Sequence, residues 1–351
     1  MGKIMLRARV AVPNGLYRCG FLVAVLVAAC SAATSAPADP VADFYRGKTI
    51  SVLIGVGAGG EYDTIARLVA RYIGRYIPGH PSLVPQNMTG ASGLKSMNYL
   101  ATLAPHDGAY IGMISEGLPL LQAVGMAGVQ FDAAKFNWLG AIAPTDETIA
   151  VWHTAGITTF DGARQRDIIT GATARGSITY TFPALLNELF GSRFKLVTGY
   201  NGGNEINLAM ERGEVEARNN TWSSWKATKP AWLSEHKISI ILQSGPRPAD
   251  LDAPLVADLA SNPDDRRLID LVLSGGALGR PLATTPDVPP ERVAALRAAF
   301  DETMKDREFL AEARTLNFDV APIRGVDMQA TVERILAAPP EVARRAKHLL
   351  E

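Results

Sequence analysis

The chain has 351 residues, with 35 basic against 35 acidic side chains and a formal charge of +0. That balance gives no electrostatic reason to expect nucleic acid or an anionic membrane as a partner. Hydrophobic residues make up 47% of the chain, enough for a sizeable core, and the length points to two domains.

Lys3, Arg7, Arg9 and Arg18 precede an apolar run, Phe21 to Ala29, and small residues follow to Ala38. This pattern predicts a signal peptide over residues 1–38. The run falls short of the roughly twenty residues that cross a bilayer. Ala36-Pro37-Ala38 offers cleavage to a soluble periplasmic protein beginning near Asp39, which is the product we expect. Val27-Ala28-Ala29-Cys30 resembles a lipobox, and a protein lipid-anchored at Cys30 is the alternative. The two cysteines, Cys19 and Cys30, both fall in this segment, so the mature chain has no disulfide framework. Removing residues 1–38 takes away four basic residues and no acidic ones, leaving 31 basic against 35 acidic and a net charge of about −4.

The first predicted strand, Ile50 to Ile54, breaks into Gly55-Val56-Gly57-Ala58-Gly59-Gly60 and then into an amphipathic helix. Ile65, Leu68, Val69, Tyr72, Ile73, Tyr76 and Ile77 share one stripe of that helix, with Pro78-Gly79 as its stop. Main-chain N–H groups in a first helical turn lack intrahelical partners, and the helix dipole adds positive charge there, so the turn suits an anion. A second unit follows. Ser82 to Asn87 breaks at Thr89-Gly90-Ala91-Ser92-Gly93 into a helix carrying Leu94, Met97, Leu100, Ala101 and Ala104, with Pro105 after it and a strand at Tyr110 to Ile114. Right-handed crossovers place both turns on the carboxyl edge of a largely parallel sheet.

A second series begins near Ile149. Asp167 to Thr170 reads as a strand, and the following helix carries Leu185, Leu186, Leu189 and Phe190, with Pro183 in its first turn. Phe194 to Thr198 is the next strand, broken by Gly199-Tyr200-Asn201-Gly202-Gly203 before a helix through Ile206, Ala209 and Met210. Ile238 to Leu242 is a further strand, and Arg280 to Thr284 carries the chain back to the first domain. Helices follow from Pro289-Pro290-Glu291 onward, through Phe309 and Leu310, to Val332 and Ile335.

Gly55-x-Gly57-x-x-Gly60 matches the dinucleotide fingerprint in the right strand-to-helix context. Two features oppose a dehydrogenase: the segment His80 to Asn87 holds no acidic residue for a ribose, and an exported protein meets little nicotinamide. An exported hydrolase is the other enzyme alternative, but Gly90-Ala91-Ser92-Gly93 is not a G-x-S-x-G elbow. His80, His106, His153, His236 and His348 lack ligand-like spacing, so no metal site is expected. We expect no cofactor and no catalytic residues.

The chain resembles the periplasmic receptors of tripartite tricarboxylate transporters, the Bug-type or TctC-like proteins. The resemblance rests on Gly59-Gly60-x-x-Asp63-x-x-Ala66-Arg67, Gln86-Asn87-Met88-x-Gly90-Ala91-x-Gly93, Asn98-Tyr99-Leu100, Pro105-x-Asp107-Gly108, Gly199-Tyr200-x-Gly202-Gly203 and Gly213-Glu214-Val215-Glu216. It implies a class II periplasmic-binding-protein-like fold, two doubly wound α/β lobes joined by two crossovers. Lobe 1 would comprise residues 40–149 plus 279–351 and lobe 2 residues 150–278. It also implies a monomer that captures a small organic carboxylate and hands it to membrane permease subunits.

Carried onto this sequence, the resemblance makes the amides of Ala58, Gly59, Gly60, Ala91, Ser92 and Gly93 the anion cradle; the other reading is that these glycines only make tight turns. Asp63 matches the family's aspartate, and an acid in a first helical turn is favourable in any protein. Ser115, at the end of the third strand, is a candidate hydroxyl donor to the ligand. From lobe 2, Thr173, Ser177, Tyr180 and the amides of Gly202 and Gly203 are placed to close on the solute, and Arg175 and Arg218 are candidates for a second carboxylate. Glu116 would either repel an acid from inside the crevice or pair with an arginine. Trp222 and Trp225 form an aromatic wall or pack in the core.

Overall fold

The computed structural model describes Gly2, residues 39–245 and residues 248–350. The apolar leader run, both cleavage sites and both cysteines lie outside the described residues. Among the described residues, no helix is long and apolar enough to cross a membrane.

Strand β1 (Thr49–Ile54) leads through the first glycine turn into helix α1 (Glu61–Ile73). The apolar stripe of α1 is buried at Ile65, Leu68, Val69, Tyr72 and Ile73. It ends a turn before Pro78-Gly79, since Arg75 and Tyr76 bond back to the carbonyls of Tyr72 and Ile73 in tighter i→i+3 turns. Strand β2 (Ser82–Asn87), helix α2 (Leu94–Thr102), strand β3 (Tyr110–Met113), helix α3 (Leu118–Ala123) and strand β4 (Asn137–Ala141) follow. Parallel pairing of β1 with β2 sets Ile54 beside Asn87. Both strands therefore end, and both turns begin, on one edge. A Cβ on Gly55 would lie 2.6 Å from Gly93 Cα, so the two turns touch and glycine is required there.

The second sheet holds β5 (Glu147–Trp152), β6 (Ile168–Gly171), β7 (Phe194–Val197), β8 (Ala217–Thr221) and β9 (Ile238–Gln243) in the order β7-β6-β8-β5-β9. Its helices include α4 (Ile178–Phe190), α5 (Gly203–Glu211), α6 (Trp222–Thr228) and α7 (Pro263–Val272). Pro183 sits inside α4 rather than in its first turn, because the Ser177 carbonyl already accepts from Tyr180 and Thr181. The chain then returns through β10 (Leu282–Thr284), α8 (Pro290–Thr303), α9 (Arg307–Thr315), β11 (Ile323–Arg324), α10 (Gly325–Leu336) and α11 (Pro340–Leu350).

The first sheet runs β11-β4-β10-β3-β1-β2 and is mixed rather than largely parallel, with β10 antiparallel to both β3 and β4. The cause is the excursion through the second sheet. The chain leaves the first sheet at the end of β4 and comes back at that same edge, so the returning strand must run the opposite way. In the second sheet β5 is likewise antiparallel to β8 and β9, while β6 is parallel to β7 and β8. The two connections run side by side, with Thr145 N bonded to Gly276 O at 3.0 Å. The last helix does not stay with the first sheet: α11 packs on α4 and α7, burying Val342, Ala346, Leu349 and Leu350, and Arg345 bonds Asp265 at 2.8 Å. The chain thus passes between the lobes a third time.

Candidate functional site

The turn before α1 and the turn before α5 meet. Gly57 N donates to Asn201 O at 2.9 Å, and a Cβ on Gly202 would stand 3.3 Å from Gly57 N. Farther along, the hydroxyls of Ser92 and Thr173 lie 2.5 Å apart. The lobes are therefore closed, and they enclose a cavity of which about 80 Å³ is open to the centres of water-sized molecules. At about 10–15 Å³ per such centre, that is space for on the order of six waters or a ligand of similar size.

Three uncapped helix N-termini border this cavity: Gly60 and Glu61 of α1, Ser177 and Ile178 of α4, and Gly202 and Gly203 of α5. No side chain caps any of the three, so their first-turn amides and dipoles bias the space toward negative charge. Arg218 adds to that bias. It is 3% exposed, and its Nη1 donates to Gly203 O (2.5 Å) and Asn207 Oδ1 (2.7 Å), its Nε to Asn219 O (3.0 Å). Among the described residues Nη2 has no acceptor and the guanidinium has no carboxylate partner. Burial pushes its pKa down to about 10, outweighing the opposing pull of Glu147 and Glu61.

On the wall of the same cavity a second guanidinium, that of Arg280, is fully neutralised. Arg280, 5% exposed, reaches Glu61 Oε2 through Nε (2.8 Å) and Nη2 (2.5 Å), reaches Glu116 Oε2 through Nη1 (2.6 Å), and lies over the Tyr62 ring. Glu116 is thus arginine-paired. Glu147, which opens β5, accepts from Asn219 Nδ2 on Oε2 at 2.7 Å. Oε1 of Glu116 and Oε1 of Glu147 are both buried without a donor. Burial, then the Glu116 charge, drives the Glu147 carboxyl well above the usual range.

Of the residues singled out from sequence, Gly59, Gly60, Ser92, Ser115, Thr173, Ser177, Gly202, Gly203 and Arg218 line this one cavity. Ala58, Asp63, Ala91, Gly93, Arg175 and Tyr180 are not among its lining residues. The Gly93 amide donates to Gly90 O. Asp63 accepts from Gly59 N (3.0 Å), Arg67 Nε (3.0 Å) and Asn87 Nδ2 (2.9 Å), so it fixes the turn from behind. Burial raises its pKa, and those three hydrogen bonds outweigh burial and hold it below the ordinary carboxylate value. Arg175 is exposed and stacks on Tyr180. Trp225 is core, donating to Thr148 Oγ1 at 3.1 Å and lying beneath Arg218; Trp222 donates to Asp250. Neither tryptophan is a cavity wall.

Sequence reasoning missed Glu61, Tyr62, Glu147, Asn219, Asn220, Thr221 and Arg280. One signal was present: Ala217-Arg218-Asn219-Asn220-Thr221 is a polar run that folds as a strand buried at all five positions.

No family model and no curated protein sequence matches the chain. Solved structures do. Rpa4515 of R. palustris with adipate superposes with a TM-score of 0.68 at 21% identity, over 86% of this chain and 97% of that one. The periplasmic binding protein BugD gives 0.70 at 15% identity, over 88% and 99%. The chain has the two-lobed periplasmic-binding-protein fold. MatC of Rhodopseudomonas palustris with bound malate shares this fold too, at a TM-score of 0.67 and 17% identity over 84% and 99% of the two chains. In the periplasmic-binding-protein fold described here, the cavity lies between the two sheets and the paired connections form the hinge beside it.

Proposed function

We propose that this chain is an extracytoplasmic solute receptor that traps a small organic carboxylate between its lobes and delivers it to a tripartite tricarboxylate-type membrane transporter. The carrying observation is Arg218, a buried guanidinium that among the described residues has no carboxylate in hydrogen-bond contact, placed where three uncapped helix N-termini converge. An unpaired buried charge is costly, and a bound anion neutralises it. Carboxylate ligands in Rpa4515 and MatC, both of this fold, support the same chemistry here. Gly60, Gly202 and Gly203 would supply main-chain donors, and Ser92, Ser115 and Thr173 hydroxyl donors. Arg218 Nη2 would hold a second carboxylate, or the same one end-on.

The leader over residues 1–38 supports export, and the hinge supports closure around the solute. A dinucleotide would need the Gly57–Asn201 contact broken and the turns parted, and none of the histidines lines the cavity for a serine hydrolase. The reading is therefore non-enzymatic. Thermal-shift screening of the mature chain against di- and tricarboxylates, aromatic acids and amino acids tests it. A carboxylate that raises the melting temperature in a saturable way is the expected result; stabilisation by NAD or an ester alone would overturn it.

A further inference from the structure

Three acids converge at the hinge from separate elements: Glu61 of α1, Glu116 of the loop after β3 and Glu147 at the start of β5. They share one ion-paired guanidinium. Arg280 takes Glu61 and Glu116, and Thr145 Oγ1 donates to Glu116 Oε2 as well. Among the described residues Glu147 has no cationic partner in hydrogen-bond contact. The groups that face it are Glu116 from the first lobe, Arg280 from the second connection, Tyr62 from α1, and Arg218 and Asn219 from β8. The Tyr62 hydroxyl accepts from Glu116 N and from Arg280 Nη1.

Two carboxyl groups, each 2% exposed, thus each keep one buried oxygen without a donor, and the Glu116 carboxylate acts directly on Glu147. Two neighbouring like charges in a dry site disfavour one another, and one proton shared between them relieves the repulsion. With Glu147 protonated, the acids left charged are Glu61 and Glu116, the two that Arg280 pairs.

We propose that lobe closure binds one proton between Glu116 of the first lobe and Glu147 of the second, so that solute capture is coupled to proton uptake. The proton comes from solvent, and the O–H bond to Glu147 is the one bond formed. Opening the cleft wets the pair and returns Glu147 toward an ordinary carboxylate. The closed state then holds more protons than the open one, so affinity falls as pH rises. The fall is up to about tenfold per pH unit between the ordinary glutamate value and the raised one, with a plateau on either side.

The proton site rests on the two buried carboxylate oxygens that lack a donor; its coupling to solute rests on the receptor reading. Ser92→Cys with Thr173→Cys tests the site without any ligand, because the two hydroxyls touch across the cleft and the mature chain has no other cysteine. Oxidation locks the closed form. Its infrared spectrum at neutral pH is expected to show a protonated carboxyl band that disappears when Glu147→Gln is added. A locked protein without that band overturns the proton site and leaves the anion receptor standing.

Calorimetry with succinate, in buffers of different ionisation enthalpy, is the independent measurement on the wild-type mature chain. Uptake approaching one proton at neutral pH, abolished in Glu147→Gln, supports the coupling; succinate binding without uptake overturns it. A locked-form band with no succinate heat removes succinate from the receptor reading and keeps the proton site.

Discussion

Arg218→Met removes the buried guanidinium and keeps much of the volume of its stem. In the wild type Nε and Nη1 make three hydrogen bonds to Asn219, Gly203 and Asn207, and Nη2 is left for the cavity. A hydrogen bond to a charged group contributes about 1.5–3 kcal/mol, so losing the two Nη2 N–H groups from a bound carboxylate costs about 3–6 kcal/mol. In affinity that is a weakening of roughly a hundred- to ten-thousand-fold. The unliganded protein behaves differently. Three acceptors lose their donor, at about 1–3 kcal/mol each. Against this, removing an unneutralised buried cation relieves several kcal/mol. The two nearly cancel, so the unliganded melting temperature is expected to move by no more than about 5 °C. Scanning calorimetry with and without succinate reads both quantities. At a hundredfold excess over Kd the wild type gains about 2.7 kcal/mol, while the variant gains almost nothing at the same concentration. A variant that binds within about threefold of wild type, a difference of about 0.7 kcal/mol, refutes the assignment of Arg218 to the anion.

Gly60→Leu is a cleaner block of the cleft than any change at Gly93. Gly60 has φ −89 and its Cβ would stand 4.0 Å from Gly203 N, whereas Gly93 has φ +95 and sits against Ser115. We expect a stability cost of about 1 kcal/mol at this N-cap and loss of succinate binding, measured by denaturation and calorimetry. Asp63→Asn should cost about 1–2 kcal/mol at neutral pH through the weakened turn. The Asp63 pKa is lowered on folding, so its contribution is present above the ordinary carboxylate value and is lost as pH falls through the lowered one. The difference between Asp63→Asn and wild type should therefore shrink in acid urea titrations. Leu350→Ala, at a residue 1% exposed on α11, should cost about 2–5 kcal/mol in the same assay. No measurable loss would mean that α11 does not dock on α4 and α7.

The first strand, its glycine turn and α1 were legible in the sequence, because the β-branched run, the glycines and the 3.6-residue stripe all act within a few residues of each other. The same holds for β2, β6, β7 and β9, each within a residue or two of its expected place. Local signals also brought nine of the candidate site residues to one cavity, since glycine turns at strand ends must share a sheet edge. The mixed direction of the sheets, the third passage of α11 and the polar strand β8 carried no such local mark.

Tertiary structure alone decided the electrostatics of the cleft. Arg280 and Glu61 are 219 positions apart, and Arg280 and Glu116 are 164 apart, so no window of sequence contains the pair that neutralises and the arginine left over. Whether a buried charge is balanced depends on what folding brings within a few ångströms of it in a dry space. The sequence determined which helices begin with bare amides; the enclosure of Arg218 among them, and of Glu147 against Glu116, was determined by how the two lobes close.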